Sequence, residues 1–154
     1  MEPVVFGRDP GLDALRRRRA ELRESIGALE QALAAPASGR VGAWAERVHV
    51  ALVELSADLG EHVAITEGPD GLHRDVVTTA PRLSNAVVRL TREHAAIAGL
   101  VADLLTRVSD PPTGDDVEAI RDLGTALLGH LARHRQRGAD LVYEAYQADI
   151  GGET

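Results

Sequence analysis

Apolar residues recur along this chain at intervals of three and four, the spacing that places side chains on one face of an α-helix. Leu12, Leu15, Leu22, Ile26, Leu29 and Leu33 form the first such stripe. The breakers Pro36, Ser38 and Gly39 predict its end near Ala35. A second stripe, Val48, Leu52, Leu55 and Leu59, follows a start near Gly42. The run from Glu67 through Gly68, Pro69, Asp70 and Gly71 predicts an interruption, after which a short piece from Leu72 to Thr79 resumes the same direction. Pro81 suits a first helical turn and opens a third long helix carrying Leu83, Val87, Leu90, Ile97, Val101 and Leu105. The fourth runs from about Asp115 to Tyr146, with Ile120, Leu127, Leu131 and Leu141 inward. There is no β-alternation and no internal repeat. The pattern predicts an all-α fold, an up-down-up-down antiparallel four-helix bundle over residues 11–148. Residues 1–10 read as a loose arm and 149–154 as a flexible tail.

Composition narrows the functional classes. Aromatic residues are 3% of the chain, so Leu, Val and Ala must fill the interior. Cysteine is absent, which excludes disulfides, thiolate metal sites and a cysteine nucleophile. A net charge of −7 argues against nucleic acid as a partner. No apolar run is long enough to span a membrane, and the first residues lack the pattern of a secretion signal. A cytoplasmic location is therefore expected. There is no Ser/His/Asp arrangement and no glycine-rich phosphate loop, so a binding protein is expected before an enzyme.

The candidate chemistry lies in the histidines. His62, His94 and His134 each continue the apolar stripe of a different helix. Burying an imidazole requires a polar partner, and three on three helices can converge on one metal ion. His130 lies one turn before His134 on the same helix, a spacing that can also bind one divalent metal. His49 and His73 are expected at the surface. Arg16 to Arg19 cover most of a helical circumference, and Arg19 falls on the apolar stripe. A guanidinium cannot ligate metal, and a buried one demands an acid. Glu67, Glu93, Asp140 and Glu144 are the available carboxylates. The polar stretch 135–146, with Tyr143 and Tyr146, marks the end of the last helix.

Three segments carry a family resemblance: His62 to Glu67, Arg92-Glu93-His94, and His130 to His134. With the order of four helices, they make residues 11–148 resemble the hemerythrin-like, HHE cation-binding, family. That resemblance implies iron, as one ion or a pair, inside the bundle, and oxygen or nitric oxide as the ligand. It points to His62, Glu67, His94, His130 and His134 as metal ligands. The chain also departs from the family pattern. Thr66 stands four residues after His62, and Gly138 four after His134, where the pattern has ligand glutamates. The first-helix histidine of the pattern falls on Arg19. The expected centre is thus non-standard, with Arg19 and a carboxylate from Glu67, Glu93, Asp140 or Glu144 filling part of the space of a metal pair. Gly138 leaves room beside His134 for water, one metal or a small ligand. The alternative is a metal-free bundle serving as a protein-interaction or oligomerisation module, with a buried network of arginine, histidines and carboxylates.

Overall fold

The structure, a computed structural model, describes residues 10–148, and side chains from Asp13 to Tyr146 except Leu15. Of the arm expected from the sequence only Pro10 is described, and it is helical; the tail and the side chains of Leu12 and Leu15 lie outside what is described. Among the described residues all regular structure is helical. Four long helices, α1 (Pro10–Ala34), α2 (Val41–Glu67), α4 (Ser84–Ser109) and α5 (Val117–Tyr143), frame a short one, α3 (Leu72–Thr79). A 3₁₀ turn leads into α4 from Pro81 and another leads into α5. A π turn, Glu144–Ala148, closes the chain's last helical stretch. No described helix is long and apolar enough to cross a membrane.

The helix ends have local causes. Gly39 takes φ 74°, a left-handed conformation that suits only glycine well, and turns the chain from α1 into α2. Thr113 and Asp116 form a reciprocal capping box ahead of α5. The last turn of α1 holds no basic residue of its own. Arg121 of α5 supplies the cation instead, donating to the carbonyls of Leu33 at 3.0 Å and Ala35 at 2.8 Å. Its guanidinium also lies over the Trp44 ring, so one side chain joins α1, α2 and α5.

Among the long helices, α1 packs on α2 and α5, and α4 on α2 and α5, while α3 packs on α2 and α4. Their interior divides into two apolar clusters. The larger holds Leu22, Leu29, Leu52, Leu55, Leu59, Ile97, Leu104, Leu127 and Leu131, among others. The smaller holds Val76, Val87, Leu90, Leu141 and Ala145. Leu104 is fully buried where the sequence stripe placed Leu105, which is only partly so. His94 lies between Leu90 of the smaller cluster and Ile97 of the larger, and His134 lies between Leu131 and Leu141. The histidines therefore form a polar layer between two dry ones.

Gly71 sets the position of α3. A Cβ there would sit 2.5 Å from the carbonyl oxygen of Ile65 and 2.6 Å from that of Thr66. Neither can step aside without moving the end of α2. Gly71→Ala is expected to destabilise the fold by about 1–3 kcal/mol, the usual cost of overpacking. Gly60→Ala, where a Cβ meets nothing within 4 Å, is expected to be neutral or stabilising by up to about 1 kcal/mol. Urea unfolding of the two variants checks both.

Candidate metal centre

Burial and position bring three of the sequence-predicted ligands together. His62, His94 and His134 are 8%, 3% and 5% exposed. One nitrogen from each lies within 4.8 Å of the others. The rings meet edge to face, with centroids 5.2 Å apart for His62 and His94, 5.8 Å for His62 and His134, and 4.6 Å for His94 and His134. Nδ1 of His62 and both ring nitrogens of His94 are buried with no hydrogen-bond partner. Leaving such atoms unsatisfied costs about 1–3 kcal/mol each, so the cluster resembles an incomplete coordination shell more than a finished hydrogen-bond network.

Burial, then the neighbouring histidines, hold the pKa of His62 and His94 at about 3, with Arg19 adding to the effect on His62 and Glu93 opposing it at His94. Both rings are neutral near pH 7, the form that binds metal.

His134 is held differently. Its Nδ1 lies 3.0 Å from Glu93 Oε2, and Glu93 Oε1 accepts from Arg137 at 2.7 Å. An engaged Nδ1 leaves Nε2 as the nitrogen free to bind, and a carboxylate behind a ligand histidine is the usual means of fixing its tautomer and orientation. Glu67 plays a looser part at His94, with Oε1 3.2 Å from Nδ1 but out of line for a hydrogen bond.

Several expectations need correction. His130 is exposed and outside the cluster. Its place about 40° round the helix from His134 puts it on the rim of the apolar stripe. His73, expected at the surface, is buried, stacks on His94 with centroids 5.6 Å apart and planes 5° from parallel, and places Nδ1 3.2 Å from Thr91 Oγ1. Burial lowers its pKa as well. The signal was present in the sequence, since His73, Val76 and Ala80 recur at helical spacing on one face.

Arg19 does not meet a carboxylate. It is half-buried and makes no ion pair with any described residue. Burial lowers its pKa, and Nη2 would lie 3.9 Å from a Cβ placed at Gly138. Glu93 is taken by Arg137 and His134, while Asp140 and Glu144 are exposed and engaged with Gln136 and Arg82. Arg137, not singled out from the sequence, is the cation that completes the network. Thr66, where the sequence resemblance would imply a glutamate, turns its hydroxyl back onto the His62 carbonyl at 2.9 Å.

These donors fit one ion and not a bridged pair. Zinc–imidazole bonds are about 2.0–2.1 Å, so three nitrogens on one tetrahedral ion stand roughly 3.4 Å apart. The three nitrogens lie within 4.8 Å of one another, so each pair would close by at most roughly 1.4 Å to reach that spacing. A bridging pair of carboxylates is missing, because Thr66 and Gly138 cannot bridge and Glu93 is already bound. A scan against protein-family models, a search of curated proteins and a search of solved structures each return no match for this chain.

Proposed function

We propose that this protein is a hemerythrin-like bundle that holds a single divalent transition metal on His62, His94 and His134 and uses it to bind a small ligand. The observation that carries the reading is the convergence of three buried imidazoles, of which His62 Nδ1 and both His94 nitrogens have no hydrogen-bond partner among the described residues. Iron is the metal that the sequence resemblance implies, and oxygen or nitric oxide the corresponding ligands. When bound, such an ion supplies a Lewis-acidic centre with positions open beyond three protein ligands.

The up-down-up-down arrangement is supported by paired contacts. Arg18 meets Glu61 and Ser25 meets Asp58, so α1 and α2 step in opposite directions. Arg137 meets Glu93 and Glu144 meets Arg82, which does the same for α5 and the α4 segment. Arg19 near Gly138 and Arg121 on Leu33 give α1 and α5 that sense too.

Each side chain has a task in this reading. His62, His94 and His134 bind the ion, Glu93 positions His134, and Arg137 holds Glu93. Glu67 stands close enough to orient His94 or to add an oxygen ligand after a rotamer change. Glu93→Gln keeps the shape of that side chain and removes its charge. It is expected to weaken zinc(II) binding by about 10–100-fold, the usual effect of losing the partner behind a ligand histidine. Competition against a chromophoric chelator measures this, and an unchanged affinity contradicts the assignment.

The alternative of a metal-free interaction or self-association module draws on one observation. Val50 and Val53 are 53% and 49% exposed, one turn apart on α2. Two isolated valines are ordinary on a soluble surface, which leaves the metal reading ahead.

A further inference from the structure

We propose that the cavity beside the three histidines is a binding site for a small oxyanion, with Arg19 as its anchor. This goes beyond the metal reading by adding a second class of ligand beside that site, and the arginine contacts themselves do not require the metal.

The first observation is the charge of the cavity wall. It is about 230 Å³ in volume and is lined by Arg19, Arg23 and Arg135 together with the histidines. None of these three arginines makes an ion pair with a described residue. Among the described residues no carboxylate lines the cavity, and Glu67 and Glu93 touch His94 and His134 from outside it. In a chain of net charge −7, a pocket bordered by three guanidiniums and no described acid is a local reversal of sign. A low-dielectric concavity of one sign concentrates ions of the other.

The second is the condition of Arg19. A half-buried guanidinium with no ion-pair partner among the described residues has lost water without a replacement there, which is costly. Its fork of donors matches a carboxylate or phosphate edge. Gly138 borders the same cavity, where a Cβ would make only ordinary contact with Arg19 Nη2, at 3.9 Å. An oxyanion between Arg19 and the imidazole cluster would supply the missing acceptor. One oxygen would face the guanidinium and another the open side of the histidine site.

The third is size. At about 30 Å³ for each water's share of liquid volume, the cavity holds the equivalent of seven or eight waters. It falls below the roughly 300–1,000 Å³ range of pockets for drug-sized ligands. A small carboxylate or an inorganic oxyanion fits; a nucleotide does not.

The test is isothermal titration of acetate, and separately of inorganic phosphate, into the full chain at low salt. Each titration is run on metal-free protein and again after loading with one equivalent of zinc(II) and desalting. One or both anions are expected to bind with one site per chain. Arg19→Gln should weaken that binding by about tenfold or more, the effect of losing a charge-assisted contact. Arg18→Gln, whose exposed arginine is engaged with Glu21 and Glu61, should not change it. Arg135→Gln provides a second loss-of-charge variant at the mouth. Zinc retention should be the same in wild type and Arg19→Gln. Anion binding by a chain that retains no zinc supports this proposal and removes the metal reading. No binding of either anion in either state, or equal binding by wild type and both cavity variants, overturns it.

Discussion

His94→Leu is expected to abolish metal retention and, in the same protein, to make the metal-free fold more stable. The two effects have one cause. His94 is 3% exposed, and neither ring nitrogen has a hydrogen-bond partner. A structural imidazole would be satisfied, and removing it would leave its former partners stranded. Here there is little to strand, because Glu67 is out of line and accessible to water at its outer edge. Leucine is close in volume and sits between Leu90 and Ile97, which are already apolar. Replacing an unsatisfied buried polar group by an apolar one should add about 1–3 kcal/mol to the stability of the metal-free chain. Zinc affinity should fall by more than the roughly 100-fold that loss of an outer hydrogen-bond partner can cost. Urea unfolding in the presence of a chelator reads the first quantity and chelator competition the second. A variant that is less stable by several kcal/mol, with zinc affinity unchanged, would assign His94 to packing. Stability given up at a site in exchange for function is a common pattern.

The metal-free protein is also expected to lose stability steeply in mild acid. His62 and His94 have folded pKa values of about 3, against 6.5 for a free imidazole. The unfolded chain therefore takes up protons on both below about pH 6.5, while the folded chain resists until about pH 3. The stabilising contribution of the neutral rings is complete above that upper limit and declines as pH falls through the window. Each histidine contributes a slope of about 1.4 kcal/mol per pH unit well inside it. Between about pH 7 and pH 5 the two together should remove roughly 3–4 kcal/mol, a large part of the 5–15 kcal/mol typical of a domain. His73 adds in the same direction, since burial lowers its pKa too. Arg19 and the neighbouring histidines oppose protonation at His62, while Glu93 favours it at His94 and Glu67 at His73. Urea midpoints of chelator-treated protein at several pH values measure the slope. The His94→Leu variant should show about half of it, and a flat profile between pH 7 and pH 5 would contradict the burial of neutral imidazoles.

The helices were legible in the sequence because their causes are local. Three- and four-residue spacing, Pro36 with Gly39, and Pro81 each act over a few residues, and α3 has the bounds that the breaker run implied. His62, His94 and His134 could be read for the same reason, as each continues a stripe on its own helix. What failed depended on neighbours distant in sequence. That Arg19 pairs with no described acid could not be deduced, because it is Arg137 that reaches Glu93 across the α4 and α5 interface. His73 was misjudged because the orientation of an eight-residue helix depends on how Gly71 packs against the end of α2. His130 shares a face with His134 only approximately, and a difference of about 40° decides between rim and interior.

The central claim is that three imidazoles form one metal site, and metal stoichiometry tests it most directly. The full chain, purified without a metal-affinity tag, is loaded with excess zinc(II) or anaerobic iron(II), desalted and analysed for metal beside the His62→Ala, His94→Ala and His134→Ala variants. The account predicts one ion retained per chain in the parent protein and none in any of the three variants. No retained metal in the parent, or equal retention in the variants, would contradict it.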